Sequence, residues 1–203
     1  PDAVVMECMA VNPQYQWVAE QKMIQSTISV ITNVRPDHLD EMGITLQDNA
    51  MSLSNTIPYN GTMVTVEGDI NRDGKLDALD QQIDDVFVNV TTKRNTKLYH
   101  ASSENISSEY MGRFKYMEHI DNVALALKVC MLSGVDEKIA LNGMKEAQPD
   151  PGATIIWELD FSGTHNYFVN LLSANDPAST YSVFKQLEPR LSNAPLCVFL
   201  DRN

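Results

Sequence analysis

Apolar and polar positions alternate along the chain in a way that predicts strands separated by helical crossovers. Residues 3–9 form a near-continuous apolar run with Glu7 near its end, the pattern of a central parallel strand covered on both faces. Residues 13–25 predict a helical crossover with Trp17, Val18 and Met23 as packing residues, and residues 28–32 predict the next strand. That separation suits a parallel βαβ unit. Leu46, Ala50, Leu53 and Ile57 recur at i, i+4, i+7 and i+11, which marks one buried helix face. Asn60-Gly61 turns the chain into a strand over 62–66, residues 78–88 predict a helix, residues 95–99 resume the sheet after that helix, and the polar residues 102–110 read as a surface loop. Val123, Ala126, Leu127, Cys130 and Met131 supply the buried stripe of the most regular helix, with Asn122 as its N-cap. Asp136 caps a short helix through Ala147. Strands over 154–160 and 166–172 follow, joined by a Ser162-Gly163 hairpin turn. Asn175-Asp176-Pro177 opens another helix, and residues 195–200 read as a last strand. The fold class expected is α/β, a three-layer, mostly parallel sheet with an antiparallel hairpin toward the C-terminus.

Composition narrows the function classes. The 203 residues suffice for one good-sized core or two small domains. A formal net charge of −12 argues against nucleic acid, whose phosphates select basic surfaces. It leaves ATP open, because a divalent cation neutralises phosphates locally. Cys8, Cys130 and Cys197 lack metal-type spacing and sit in apolar runs, so they read as reduced core residues of a cytoplasmic protein. No apolar run approaches the roughly 20 residues that span a bilayer, and no signal peptide is recognisable. The chain begins without methionine and stops where a strand is ending, so both ends read as cut from something longer. No Gly-x-x-x-x-Gly-Lys-Ser/Thr phosphate loop occurs.

Three stretches carry candidate chemistry. The strand over 28–32 runs into Asn33-Val34-Arg35-Pro36-Asp37-His38-Leu39-Asp40, two acids around a histidine at a strand end, where a hard cation and phosphates could be held. A capped loop histidine is the plainer alternative. Glu7, at the end of the first apolar run, is either paired with a lysine or backbone donors or is a ligand at the neighbouring strand end. Asp69-Ile70-Asn71-Arg72-Asp73-Gly74-Lys75-Leu76-Asp77-Ala78-Leu79-Asp80 places oxygen donors in calcium-loop register: Asp69, Asn71, Asp73, the Lys75 carbonyl, Asp77 and Asp80, with Gly at the sixth position. The plainer reading there is a charged surface turn and a helix cap. The stretch is similar to one half of a dockerin repeat, and its single copy argues against cohesin binding. Asn60, Asn89 and Asn105 begin Asn-x-Ser/Thr triplets, taken as chance in a cytoplasmic chain.

The whole string Thr32-Asn33-x-x-x-Asp37-His38-Leu39-Asp40 resembles the signature of the ATP-dependent Mur ligases. Together with Glu7-Cys8-Met9-Ala10-Val11-Asn12-Pro13-Gln14-Tyr15-Gln16-Trp17 it is similar to one branch of that superfamily, the ligase subunit of poly-γ-glutamate synthase. The resemblance implies an ATP-dependent ligase working through an acyl phosphate, with glutamate or poly-γ-glutamate as substrate and membrane-embedded synthase subunits as partners at the inner face of the membrane. It implies magnesium held by Glu7 and His38, Asp37 and Asp40 orienting them, and Thr32 and Asn33 lining the crevice. It implies ATP contacts from Asn122 and His119, and Asn170 in the approximate place of a family aspartate. Residues 1–194 would be the central ATPase-type domain without its phosphate loop, carrying a calcium-loop-like insertion at 68–85 remote from the chemistry. Residues 195–203 would start a C-terminal domain. Two family features are altered: no lysine lies between His38 and Lys75 where a carbamylated lysine would bridge metals, and Ala153 stands where Pro-Gly-Arg would place its arginine. Two rivals remain: a non-catalytic calcium-binding scaffold or relic of such a ligase, and the same chemistry on a folate or peptidoglycan precursor.

Overall fold

A computed structural model of the chain describes residues 2–172 and 177–191. In chain order the elements are α1 (Pro13–Val18), continued by a π-helical segment Ala19–Ile24, β1 (Ile28–Val30), α2 (Leu39–Met42), α3 (Leu46–Leu53), β2 (Thr62–Val66), α4 (Ala78–Lys93), β3 (Lys97–Ala101), α5 (Ser108–Met111), α6 (Ile120–Leu132), α7 (Glu137–Glu146), β4 (Ile156–Phe161), β5 (Thr164–Val169) and α8 (Pro177–Leu191). They fall into two compact units. The first comprises Pro1–Met111 with His119–Lys145, the second Gly112–Glu118 with Glu146–Asn203.

The first unit is a parallel sheet in the order β1-β2-β3. Its central strand is β-branched and apolar, and Met63, Val64, Thr65 and Val66 are all buried, as a strand covered on both faces requires. Two crossovers run the same way, through α3 and then α4. Right-handed connections put both helices on one face, and they pack together. α6 packs on β2 and β3, giving the three layers. Fully buried Ile83 and Phe87 dock α4, each worth about 1.5–3 kcal/mol of apolar burial. Capping boxes start two of the helices: Thr45 with Asp48 opens α3, and Asp77 with Asp80 opens α4.

Beyond the last paired residues the chain continues in step. Ile31 N donates to Val64 O at 3.1 Å, and Val34 N to Ile70 O at 3.0 Å. The buried Thr65 hydroxyl donates to Ile31 O at 3.0 Å. These bonds hold the segments leaving β1 and β2 side by side at the carboxyl edge of the sheet.

The second unit contains the antiparallel β4–β5 hairpin, in register Ile156↔Val169 to Phe161↔Thr164. Ser162 and Gly163 both have positive φ (50° and 78°), the backbone of a primed two-residue turn. Trp157 and Phe168 face each other across the strands with ring centroids 5.4 Å apart.

The α/β class, the parallel sheet and the hairpin agree with the sequence pattern. Three local expectations are corrected. Residues 3–9 form no strand: they carry no regular secondary structure, with Val4, Val5, Met6 and Met9 exposed, Val5 at 96%. An apolar run becomes a strand only where a neighbour completes its hydrogen-bond ladder, and none of the described strands pairs with it. The helical stretch 13–24 turns polar residues inward, Gln16 and Glu20, while Val18 and Met23 are exposed. The burial is tolerated because both polar groups are satisfied: Ser52 donates to Gln16 Oε1 at 3.0 Å, and Ser26 N and Oγ donate to Glu20 Oε1 at 2.9 and 3.1 Å. In α6 the N-cap is His119, not Asn122, and Val123, Ala124 and Leu125 are the buried residues, with Ala126 and Met131 exposed. Asn175, Asp176, Cys197 and the strand and domain start expected after residue 194 lie outside the described residues.

Candidate functional site

Because all three strands of the first unit are parallel, the segments that follow them emerge at one edge, where ligands of open α/β sheets bind. After β1 come Thr32, Asn33, Asp37, His38 and Asp40. After β2 comes the turn containing Asp69 to Asp80. After β3 the chain passes α5 and enters α6 at His119.

His38 caps α2 in the left-handed conformation (φ 45°, ψ 47°), a strained backbone for a non-glycine residue that the surroundings must impose. Its carbonyl accepts from Glu41 N at 2.9 Å and Met42 N at 2.8 Å. Its own N–H donates to Asp37 Oδ1 at 2.9 Å, and its Nε2 lies 3.6 Å from the same oxygen. Asp40 sits exposed in the first turn of α2, where the helix dipole favours an acid. Glu7 lies on the exposed segment before α1. That segment is tethered at its end, where Asn12 caps α1 and donates through Nδ2 to Glu41 Oε2 at 2.8 Å.

The Asp69–Asp80 turn closes on its own hydrogen bonds. Asp69 Oδ1 accepts from Asp73 N at 3.1 Å and Oδ2 from Gly74 N at 2.8 Å. Asn71 Oδ1 accepts from Asp73 N at 2.8 Å, Asp73 Oδ1 from Lys75 N at 2.9 Å, and Asp77 Oδ1 from Leu79 N at 2.8 Å. Gly74 has φ +85°, a backbone that suits glycine. Asp80 is 2% exposed. Its Oδ1 accepts from Ile70 N and Asn71 N at 2.9 and 3.2 Å, and its Oδ2 from Asp77 N at 3.1 Å. Its carboxylate serves here as a latch between turn and helix.

Arg72 is the functional candidate that the spacing arguments missed. From within this turn its Nη2 donates to Thr32 O at 3.3 Å and to Asn122 Oδ1 at 3.1 Å, and its Nε lies 3.6 Å from Asp121 Oδ2. One side chain thus touches the segment after β1 and the first turn of α6. Through Arg72 the turn is bonded to the segment that follows β1 and to the start of α6. The only available signal was a lone arginine inside an acidic turn. Asn122 itself is exposed, and His119 Nδ1 accepts from Asp121 N at 3.4 Å. Asn33 Nδ2 donates to Thr32 Oγ1 at 3.3 Å. Asn170 belongs to the second unit, where it fixes a loop: its Nδ2 donates to Pro151 O at 3.1 Å and its Oδ1 accepts from Leu172 N at 3.0 Å.

Among the described residues no three His, Cys, Asp or Glu side chains converge on a point that would hold a metal ion. In the Asp69–Asp80 turn, Asp69, Asp73, Asp77 and Asp80 each accept from backbone N–H groups. Elsewhere in the unit, His100 Nε2 meets Asp84 Oδ1 at 2.7 Å. The carboxylate raises the imidazole pKa above its ordinary 6.5 against the opposing pull of partial burial. Among the described residues no helix is long and apolar enough to cross a membrane.

No family model matches the chain, and no solved structure does. Two curated proteins do. Capsule biosynthesis protein CapB of Bacillus anthracis is 41% identical over 187 residues, 92% of this chain and 38% of that protein. PGA synthase CapB of Bacillus subtilis (strain 168) is 40% identical over 187 residues, 92% of this chain and 44% of that protein. The chain spans less than half the length of either relative.

Proposed function

We propose that this chain is the sheet body of an ATP-dependent amide ligase that joins glutamate units through their γ-carboxylates in poly-γ-glutamate capsule synthesis. The observation that carries the reading is the similarity to two CapB proteins across 92% of the chain. The meeting of Thr32, Arg72 and Asn122 at one sheet edge supports it.

In this reading a γ-carboxylate oxygen attacks the γ-phosphorus of ATP, the bond to the β,γ-bridging oxygen breaks, and ADP leaves. The amine of the next glutamate then attacks the carbonyl carbon of the acyl phosphate. The carbon–oxygen bond to phosphate breaks, inorganic phosphate leaves, and the surplus ammonium proton passes to solvent. Positioning and charge neutralisation are the protein's contribution to such transfers. Asn122 would contact the nucleotide, and Thr32 and Asn33 would line its crevice. Asp37 and Asp40 would orient His38. The assignment of magnesium to Glu7 and His38 rests on the family signature, and mutants test it. The phosphate loop, absent from these 203 residues, and membrane-embedded partner subunits at the inner membrane face would come from the rest of the assembly.

The test is ADP release from the full-length protein supplied with magnesium, ATP and glutamate. Turnover should depend on glutamate, and Glu7→Ala or His38→Ala should lower it at least about a hundredfold, the scale of removing a charge-stabilising group. Near-normal release from both variants would refute the assignment. A second reading, a calcium-binding scaffold, draws on the complete donor register of Asp69 to Asp80 and the left-handed Gly74; calorimetry with calcium chloride, described below, separates it.

A further inference from the structure

We propose that Asn12 and Glu41 are positioning residues: their hydrogen bond is a clamp that holds the segment carrying Glu7 against the loop carrying His38. The chemical roles of Glu7 and His38 rest on the ligase reading above; the clamp does not. Asn12 caps α1, and its Oδ1 accepts from Gln14 N at 3.0 Å. A backbone N–H requires an oxygen opposite it, so the orientation of the Asn12 amide is set. Its Nδ2 is then the group that meets Glu41 Oε2, 2.8 Å away and 29 residues along the chain. An ionised acceptor makes such a bond stronger than one between neutral groups. Glu41 lies one helical turn after His38, whose carbonyl accepts from Glu41 N at 2.9 Å.

Both ends of the clamp are moored on α3. On one side, buried Ser52 donates to Gln16 Oε1 at 3.0 Å, and Gln16 Nε2 donates to Val11 O at 3.2 Å. On the other, buried Asn49 donates through Nδ2 to Gly43 O at 2.9 Å, where α2 ends. A Cβ on Gly43 would collide with the Asp48 side chain, so α2 turns tightly onto α3. The Asn12–Glu41 bond closes the ring between these two moorings. Glu7 stands five residues before Asn12, an extended reach of at most about 18 Å. With Asn12 held beside the turn that follows His38, Glu7 stays within range of that loop. Val11 alone would leave the direction of the segment open. The clamp is exposed, so it tunes placement rather than the stability of the unit.

The experiment is a double-mutant cycle in the full-length protein, reading kcat and KM for ATP of glutamate-dependent ADP release. Glu41→Ala should lower kcat about tenfold, the scale of one charge-assisted hydrogen bond, with KM for ATP changed less than about threefold. Asn12→Ser keeps a cap on α1 but loses the amide that reaches Glu41, and should show the same loss. Glu41→Gln, which keeps an oxygen for Asn12 Nδ2, should stay within about threefold of wild type. In a Glu7→Ala background Glu41→Ala should cost less than about twofold further. An unchanged kcat in Glu41→Ala, or an equal loss in the Glu7→Ala background, overturns the inference. If the protein releases no ADP with glutamate, the ligase reading has failed, and NMR relaxation reads the clamp alone. Backbone order parameters of residues 9–12 should fall from about 0.85 toward 0.6 in Glu41→Ala and hold in Glu41→Gln; unchanged values in Glu41→Ala overturn the clamp.

Discussion

Removing the Asp80 carboxylate should unfold the turn that carries Arg72. Asp80 is 2% exposed and accepts three backbone N–H groups: Ile70 and Asn71 through Oδ1, and Asp77 through Oδ2. Ile70 and Asn71 are themselves buried, so Asp80→Ala strands two donors away from water at about 1–3 kcal/mol each. The broken capping box of α4 adds about 1 kcal/mol. Because the 3.2 Å bond to Asn71 is the weaker of a shared pair, we take about 3–5 kcal/mol for the sum, a large part of the roughly 5–15 kcal/mol that holds an ordinary domain. Asp80→Asn keeps one oxygen for Ile70 and Asn71 but sets an NH2 against Asp77 N, so its loss should be smaller, about 1–2 kcal/mol. Trp17 lies in the first unit and Trp157 in the second. Urea unfolding followed by Trp17 fluorescence in a Trp157→Phe background therefore reports this unit. A loss below about 0.5 kcal/mol for Asp80→Ala, the scatter of neutral surface changes, would refute the latch. The latch also predicts the same loss in EGTA and in about 1 mM calcium; a loss seen only with calcium would make Asp80 an ion ligand instead.

Two further outcomes follow from the same unit. Asp84 raises the His100 pKa above 6.5, so the folded state binds that proton more tightly, and this stabilisation is complete below about pH 6.5 and is lost as pH rises through the raised value. Thermal midpoints of wild type and Asp84→Asn should differ most at acid pH and converge above that window; parallel profiles would remove His100 as the cause. Calorimetric titration of the protein with calcium chloride should give no saturable heat at about 1 mM if the Asp69–Asp80 turn is only a latch, whereas a one-site isotherm would favour the scaffold reading.

Much of the sheet was legible because strand, crossover and turn signals are local. Thr62 to Val66, the buried Ala50 of α3, and the Ser162-Gly163 turn are written in adjacent residues, although α3 ends at Leu53 and leaves Ile57 buried but extended. What failed depended on partners. Residues 3–9 have strand composition but no ladder neighbour among the described strands. The stretch 13–24 buries Gln16 and Glu20 because Ser52 and Ser26 happen to satisfy them, which no periodicity encodes. The N-cap of α6 lies three residues earlier than Asn122, at His119, whose ring accepts from Asp121 N. At the site, the motif letters placed Thr32, His38 and Asn122 on strand-end segments. Arg72, the side chain that joins two of them, was visible only once three segments far apart in sequence were brought to one edge.

The central claim is that the carboxyl edge of the parallel sheet holds the nucleotide. Hydrogen exchange of the full-length protein with and without magnesium and ATP reads this directly. Protection should rise in residues 31–40, 69–77 and 119–123 together. Protection confined to other segments, in a protein that still turns over ATP, would contradict it.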